Sequence, residues 1–321
     1  MTRPAPLPPA ARAIVEGDLR ALARTISAVE NGDPSADPIL RAIYPRTGKV
    51  PVIGLTGPLG VGKSSLVSAL VGHLRGLGRA VGVVAVDPSS PFSGGSVLGD
   101  RIRLERAPGD TRVFFRSMAS RGSVGGVAAA TRETARLLDA AGFDVILIET
   151  VGSGQVDLAI REVASTRVVV LVPHLGDEVQ TLKAGLFEIA DVFCVNKSDL
   201  PGAGSAERDL AELVSLGGGR DGWRPPIVAT STVTPSGIER LWAAIESHQQ
   251  FLDSSGGRLS GERLRLKQEI VGRVRDEVAA ELAERLDKDP ALRDLLDRVV
   301  ARTLDPRSAA DRLLAASRRG R

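Results

Sequence analysis

Ile53-Gly54-Leu55-Thr56-Gly57-Pro58-Leu59-Gly60-Val61-Gly62-Lys63-Ser64-Ser65 is the stretch that decides the fold. An apolar run gives way to the spacing G-x-x-x-x-G-K-S, and an amphipathic segment starts at Lys63. A buried strand, a glycine loop and a helix in that order make a phosphate loop. Glycines let backbone N–H groups curl around a phosphate with no Cβ in the way. The helix N-terminus adds partial positive charge. Gly57 to Ser65 are therefore expected to hold a nucleotide's phosphates. Lys63 reaches the β- and γ-phosphates as a catalytic group, and the Ser64 hydroxyl ligates Mg²⁺.

Working outward, the same alternation repeats. Short apolar runs occur at Pro51–Thr56, Ala80–Val86, Val145–Glu149, Val168–Val172, Val192–Val195 and Ile227–Thr230. They are β-branched and unalternating, as strands buried on both faces must be. Helical segments lie between them, at Lys63–Arg75, Ala128–Ala140, Val179–Ala190, Ala206–Leu216 and Ile238–Gln249. The predicted fold is α/β: a P-loop NTPase with a mostly parallel central sheet flanked by helices, plus N-terminal and C-terminal helical extensions. Ligands of such sheets bind at the carboxyl ends of the strands.

The predicted domains are an N-terminal helical extension (1–48), a nucleotide-binding domain (49–253) and a C-terminal helical arm (254–321). The first follows a Pro-rich start and has two short helices, Ala11 to Glu16 and Leu19 to Val29. Leu19, Leu22, Ile26 and Val29 mark one buried face of the second. Ser254-Ser255-Gly256-Gly257 resembles a linker. Beyond it Ile270, Val274, Val278, Leu282 and Leu286 form an apolar ladder, and Asp289-Pro290 and Asp305-Pro306 look like helix starts. Such narrow stripes need a covering surface, either the parent domain or a second subunit.

Asn196-Lys197-Ser198-Asp199 ends the strand Val192–Val195. A carboxylate at Asp199 accepts two hydrogen bonds from guanine, whereas adenine offers no such edge. Asn196, Lys197 and Asp199 are the base-reading set, supported by backbone N–H groups of Ser231, Thr232 and Val233. The implied ligands are GTP and GDP. Acids at other strand ends are candidates for the metal and the attacking water. Asp87 follows Val83–Val86, Glu149 follows Val145–Ile148, and Asp100 lies in the Gly-rich run Gly94–Asp100. Direct and water-mediated Mg²⁺ ligands are not separable from spacing. Gly152 brings an N–H near the γ-phosphate, so Lys63, Asp100, Glu149 and Gly152 form the expected catalytic set.

Composition narrows the alternatives. Net charge is +3 with 42 Lys and Arg interspersed among 39 Asp and Glu, and aromatics are 3%. No basic block with interleaved aromatics exists, so no nucleic-acid partner is expected. The single Cys194 lies in an apolar stretch and excludes a disulfide framework. No run of 18 apolar residues and no apolar leader occurs, so no membrane is expected and a cytoplasmic location is. His73 and His248 fall on amphipathic helices and are expected to be solvated. His174 follows the strand Val168–Val172, and none of the three joins a catalytic or metal arrangement.

With these residues assembled, the chain resembles the MeaB family of GTPases associated with methylmalonyl-CoA mutase, which includes MMAA and ArgK-type proteins. The likeness rests most specifically on Val86 to Arg101. Gly125 to Ala128, Glu149-Thr150-Val151-Gly152, Gly176 to Gln180 and Lys183-Ala184-Gly185 also match. It implies a Glu-x-x-Gly switch II at Glu149 to Gly152, a third switch from Gly176 to Lys183, and a homodimer built through the C-terminal arm. It further implies a slow, Mg²⁺-dependent G-protein metallochaperone that gates adenosylcobalamin loading or protection of an acyl-CoA mutase.

The chain departs from the family at Ser153-Gly154-Gln155-Val156-Asp157, at Pro173-His174-Leu175-Gly176 and at Thr181-Leu182. The partner is therefore either methylmalonyl-CoA mutase or a relative such as isobutyryl-CoA mutase. Val71 stands where a corrinoid-binding Asp-x-His-x-x-Gly pattern needs its Asp, so the cofactor is reached through the partner. The alternative is an ArgK-type kinase or ATPase linked to amino-acid transport. A kinase needs a base for its substrate hydroxyl and a lid, and neither is legible. Nickel or cobalt insertion would call for a Cys or His cluster, which one Cys and three scattered His do not supply.

Overall fold

The computed structural model describes residues 6–87, 110–119, 124–150, 160–173, 186–217 and 221–319. Among the described residues, seven strands form one parallel sheet: β1 (Val52–Thr56), β2 (Val81–Asp87), β3 (Val113–Ala119), β4 (Val145–Thr150), β5 (Thr166–Leu171), β6 (Val192–Val195) and β7 (Ile227–Ala229). Their order is β3-β2-β4-β1-β5-β6-β7. The chain thus departs in opposite directions from β1, between β4 and β5. That point is where such sheets place a ligand.

The two sheet faces carry separate cores, because side chains alternate along each strand. Ile53 and Leu55 of β1, with Val168 and Val170 of β5, pack under α4 (Lys63–Gly76). Leu241 and Ile245 of α8 (Ile238–Ser254) complete that core. On the other face Ile146 and Ile148 of β4 and Phe193 of β6 meet α5 (Val124–Ala140) and the N-terminal helices. Those helices are α1 (Pro9–Val15), α2 (Leu19–Asn31) and α3 (Asp37–Ile43). Ile14, Leu22, Ile26 and Ile43 are fully buried there in one cluster with Leu138. Truncating any of these to Ala removes about 2–5 kcal/mol of packing.

Local signals explain the N-terminal elements. Asp18 caps α2 by accepting from the backbone N–H groups of Arg20 and Ala21 at 2.7 and 3.0 Å. Gly32 ends the helix in the left-handed region at φ 66°. Arg116 of β3 pairs with Glu30 and reaches Ser27 of α2 at 3.0 Å.

Several expectations need correcting. Val113–Ala119 was not expected as a strand, and it forms the sheet edge beside β2. Asp37–Ile43 is a third N-terminal helix. The expected linker is a break of only Ser255 and Gly256, since α8 runs to Ser254 and α9 (Gly257–Lys288) starts at once. Of the expected helix 179–190, residues 186–190 are described, and Leu186–Ile189 of these form α6. The remaining helices among the described residues are α7 (Ala203–Gly217), α10 (Pro290–Val300) and α11 (Pro306–Arg319).

The chain divides into two compact units, 1–262 and 263–321. In the second, α10 and α11 each start at a proline that follows Asp. The Asp305 carboxylate accepts from Ser308 N at 2.9 Å. The ladder residues Ile270 and Val274 are more than half exposed, while Val278, Leu282 and Leu286 are half-buried. No helix among the described residues is long and apolar enough to cross a membrane.

Candidate nucleotide-binding site

The loop between β1 and α4 turns on three glycines with positive φ: Gly57 at 145°, Gly60 at 78° and Gly62 at 88°. Side chains are also excluded by space. A Cβ on Gly57 would lie 2.1 Å from the Val170 carbonyl oxygen, and one on Gly62 would lie 2.6 Å from Asn196 Nδ2. Lys63 is buried, and its Nζ donates to the carbonyls of Gly57 at 2.6 Å and Pro58 at 2.7 Å. The ammonium is thereby held inside the loop that it closes. Ser64 and Ser65 are exposed at the helix start, as are Leu59 and Gly60 at the loop apex.

The pleat brings Glu149 onto the same side. Ile146 and Ile148 face the N-terminal helices, so Glu149 points the other way, toward α4. Its Oε1 accepts from Ser64 Oγ at 2.5 Å. This pair joins the helix start to the end of β4, across β1. Asp87 ends β2, where it pairs in register with Ala119 of β3. Asp100, Gly152, Gln155, His174 and the Gly176–Lys183 segment lie outside the described residues.

At the end of β6 the residues expected to read the base are tied to the phosphate loop itself. Asn196 is buried, donates through Nδ2 to the Val61 carbonyl at 2.8 Å and accepts from Thr230 Oγ1 at 3.1 Å. Lys197 adopts φ 56°, and its Nζ donates to the Gly60 carbonyl at 2.8 Å. Asp199 is exposed and accepts from Ser231 Oγ at 2.5 Å, while that hydroxyl accepts from Thr234 N at 3.1 Å. The Ser231 amide, expected to support the base, donates instead to the Ser236 carbonyl, and it is the Ser231 hydroxyl that holds Asp199. Thr232 and Val233 follow on the same turn, with Val233 78% exposed.

Cys194 is buried, as its apolar stretch suggests, whereas His248 departs from expectation. Burial pushes the Cys194 thiol up to about 12, against a smaller opposing effect from Thr230 at 3.1 Å. His248 is not solvated. It is 3% exposed, bonds Thr166 Oγ1 through Nδ1 at 2.8 Å and lies tilted against the Trp223 ring, with centroids 4.9 Å apart. Asp191 lies 3.6 Å from His248 Nε2 and is bound by both Arg167 Nε and Nη2. Thr166 and Asp191 stand at the starts of β5 and β6, the opposite ends from the phosphate loop. This network joins strands and takes no part in the site.

A parallel sheet with a phosphate loop at its switch point, and a guanine-type base motif at the end of β6, two strands away, defines a P-loop guanine-nucleotide-binding protein. The family model described as "Methylmalonyl Co-A mutase-associated GTPase MeaB" matches residues 22–287. A protein of Pyrococcus abyssi named as a GTPase is 47% identical, over 93% of this chain and 93% of its own length. The mouse protein named "Methylmalonic aciduria type A homolog, mitochondrial" is 35% identical, over 82% of this chain and 65% of its own. A crystal structure titled "LAO/AO transport system kinase" superposes with a TM-score of 0.74 at 27% identity and covers 96% of each chain. The chain belongs to the MeaB family, and it is a GTPase.

Proposed function

We propose that this GTPase is a G-protein chaperone that gates adenosylcobalamin loading or protection of an acyl-CoA mutase. The observation that carries the reading is the family match, whose description names a mutase-associated GTPase, across 22–287. The name of the mouse relative, which concerns methylmalonic aciduria, supports it. Methylmalonyl-CoA mutase and isobutyryl-CoA mutase are the candidate partners, and a homodimer through residues 254–321 is the proposed assembly.

In this reading the loop from Gly57 to Ser65 binds the phosphates, with Lys63 moving from the Gly57 and Pro58 carbonyls onto the γ-phosphate. Asn196, Lys197 and Asp199 hold the base, with Ser231, Thr232 and Val233 beneath it. Ser64 Oγ and Glu149 Oε1, 2.5 Å apart, form a pair of hard oxygen donors that suits Mg²⁺. Asp87 and Asp100 complete the proposed metal set. Bound Mg²⁺ would neutralise charge on the β- and γ-phosphates. Glu149 and Gly152 orient water and γ-phosphate, and Lys63 and Asp100 assist. Hydrolysis by the chain alone is proposed to be slow.

The test is capture of a cobalamin-dependent mutase by tagged protein loaded with a non-hydrolysable GTP analogue, followed by cofactor loading with GTP or GDP. A mutase whose loading depends on the nucleotide supports the reading. Recovery of transport components instead favours the second reading, a transport-linked kinase, which the name of the superposed crystal structure suggests.

A further inference from the structure

Gly54 lies in the middle of β1, and the place of its missing side chain is taken by a neighbour. A Cβ built there would stand 2.4 Å from Ile160 Cγ1, 2.5 Å from its Cδ1 and 3.0 Å from Ala164 Cβ. Apolar carbons rest about 3.5–4.0 Å apart. The helical turn at 160–163 therefore lies on β1 at a distance that only glycine permits. Ile160 and Ala164 are each 2% exposed, so neither has solvent to retreat into. The turn is also fixed sideways, because Glu162 pairs with Arg132 of α5 at 3.2 Å. Just beyond it, Ser165 donates to the Val52 carbonyl of β1 through both N and Oγ, at 2.8 and 3.0 Å.

Two residues along β1, on the same face as Gly54, Thr56 receives a second attachment. Thr150 Oγ1 donates to Thr56 Oγ1 at 3.1 Å, and both residues are buried. Thr150 and Ile160 bracket residues 151–159, which include Gly152. β1 thus grips both flanks of that stretch with one face, and its end leads straight into the phosphate loop.

We propose that Gly54 and Thr56 are positioning residues for GTP hydrolysis. They fix the flanks of the stretch carrying Gly152 to the strand that places Lys63, without touching nucleotide themselves. The inference rests on the reading that Glu149 and Gly152 belong to the hydrolytic machinery. Gly54→Ala would drive the 160–163 turn outward by roughly 1 Å or more to restore ordinary contact. The β1–α4 core on the other face, which holds the phosphate loop, would stay in place.

The experiment compares wild type, Gly54→Ala, Gly54→Ala with Ile160→Ala, and Thr150→Val. For each, kcat for GTP hydrolysis and Kd for a fluorescent GDP are measured. Gly54→Ala is expected to lose about 10- to 100-fold in kcat while GDP Kd stays within about twofold. Ile160→Ala removes the clashing atoms, so the double variant should recover activity relative to Gly54→Ala. Thr150→Val keeps side-chain volume and should also lose kcat with GDP binding retained. Losses of kcat and GDP affinity in step would overturn the proposal. So would an unchanged kcat in both single variants, or a double variant no faster than Gly54→Ala. If Gly54→Ala does not fold, Thr150→Val decides the matter alone. Absence of GTP hydrolysis by the wild type would instead count against the hydrolytic reading of Glu149 and Gly152.

Discussion

The Asn196 side-chain amide and the Val61 carbonyl are joined by a 2.8 Å hydrogen bond that ties the end of β6 to the turn of the phosphate loop. Asn196 is 1% exposed, and its Oδ1 is bound by Thr230. Replacing it with Ala leaves two buried polar partners without their bonds, at about 1–3 kcal/mol each. Asn196→Ala should therefore lower the melting temperature of the nucleotide-free protein as well as GTP affinity. Calorimetry without and with GTP separates the two. A loss confined to the GTP-bound form would refute the structural coupling.

Asp199 is exposed and held by Ser231 Oγ at 2.5 Å, aimed by a group outside its own strand end. Asp199→Asn should exchange an acceptor for a donor, weakening GTP and favouring XTP by about 10- to 100-fold. Titration with both nucleotides checks this. Unchanged selectivity would remove Asp199 from base recognition. Ser231→Ala should weaken GTP in the same assay by a smaller factor, because Asp199 survives but loses its orienting donor.

Ser64 and Glu149 share one hydrogen bond, so removing the hydroxyl also takes one bond from the carboxylate. Ser64→Ala is expected to raise the Mg²⁺ concentration for half-maximal hydrolysis by about 10- to 100-fold. Chelation should stop hydrolysis by the wild type. An unaltered Mg²⁺ requirement in the variant would exclude Ser64 from the metal site.

Cys194 is fully buried with its thiol pushed up to about 12, so at pH 8 roughly one molecule in ten thousand carries a thiolate there. Reaction with a thiol reagent should track unfolding, with no fast phase in the native protein. A rapid stoichiometric reaction would show that β6 is accessible.

Hydrogen bonds from the Ala21 and then the Arg20 backbone hold Asp18 below its ordinary 3.8, and Ser308 does the same for Asp305. Each carboxylate binds its proton more weakly folded than unfolded. It therefore adds stability above pH 3.8 and gives it up as the pH falls below that value. Asp139 works in the opposite sense, since burial raises it against bonds from Lys49 and Gly48. The melting-temperature loss from Asp18→Ala should accordingly be larger at pH 7 than at pH 3. An equal loss at both would show that the charge does not matter.

Much of the site was legible in the sequence, because its chemistry is fixed by local spacing. Gly57 to Ser64 and Asn196 to Asp199 each declare themselves within a few residues, and the β-branched runs that carry them form strands as expected. The sheet edge was harder to see. Val113–Ala119 is interrupted by Arg116 and Ser117, whose polar groups break the apolar run that marked the central strands. Asp37–Ile43 is too short to show a periodicity. The burial of His248 leaves no local trace, because the partners that bury it, Thr166, Asp191 and Trp223, are 25 or more residues away in sequence. Ser231 serving Asp199 through its hydroxyl, and Gly54 making room for Ile160, are likewise invisible until the chain is folded.

The pleat of β1 gives this short strand two kinds of work that need not change together. Ile53 and Leu55 brace the helix that carries the grip on phosphate, whereas Gly54 and Thr56 look the other way. Successive residues one peptide apart are thus exposed to different selective demands. Drift at the odd-numbered positions would retune how long a nucleotide stays, and drift at the even-numbered ones how long it lasts before cleavage. If Gly54 and Thr56 act as proposed, these five residues hold separate adjustments for nucleotide grip and for cleavage.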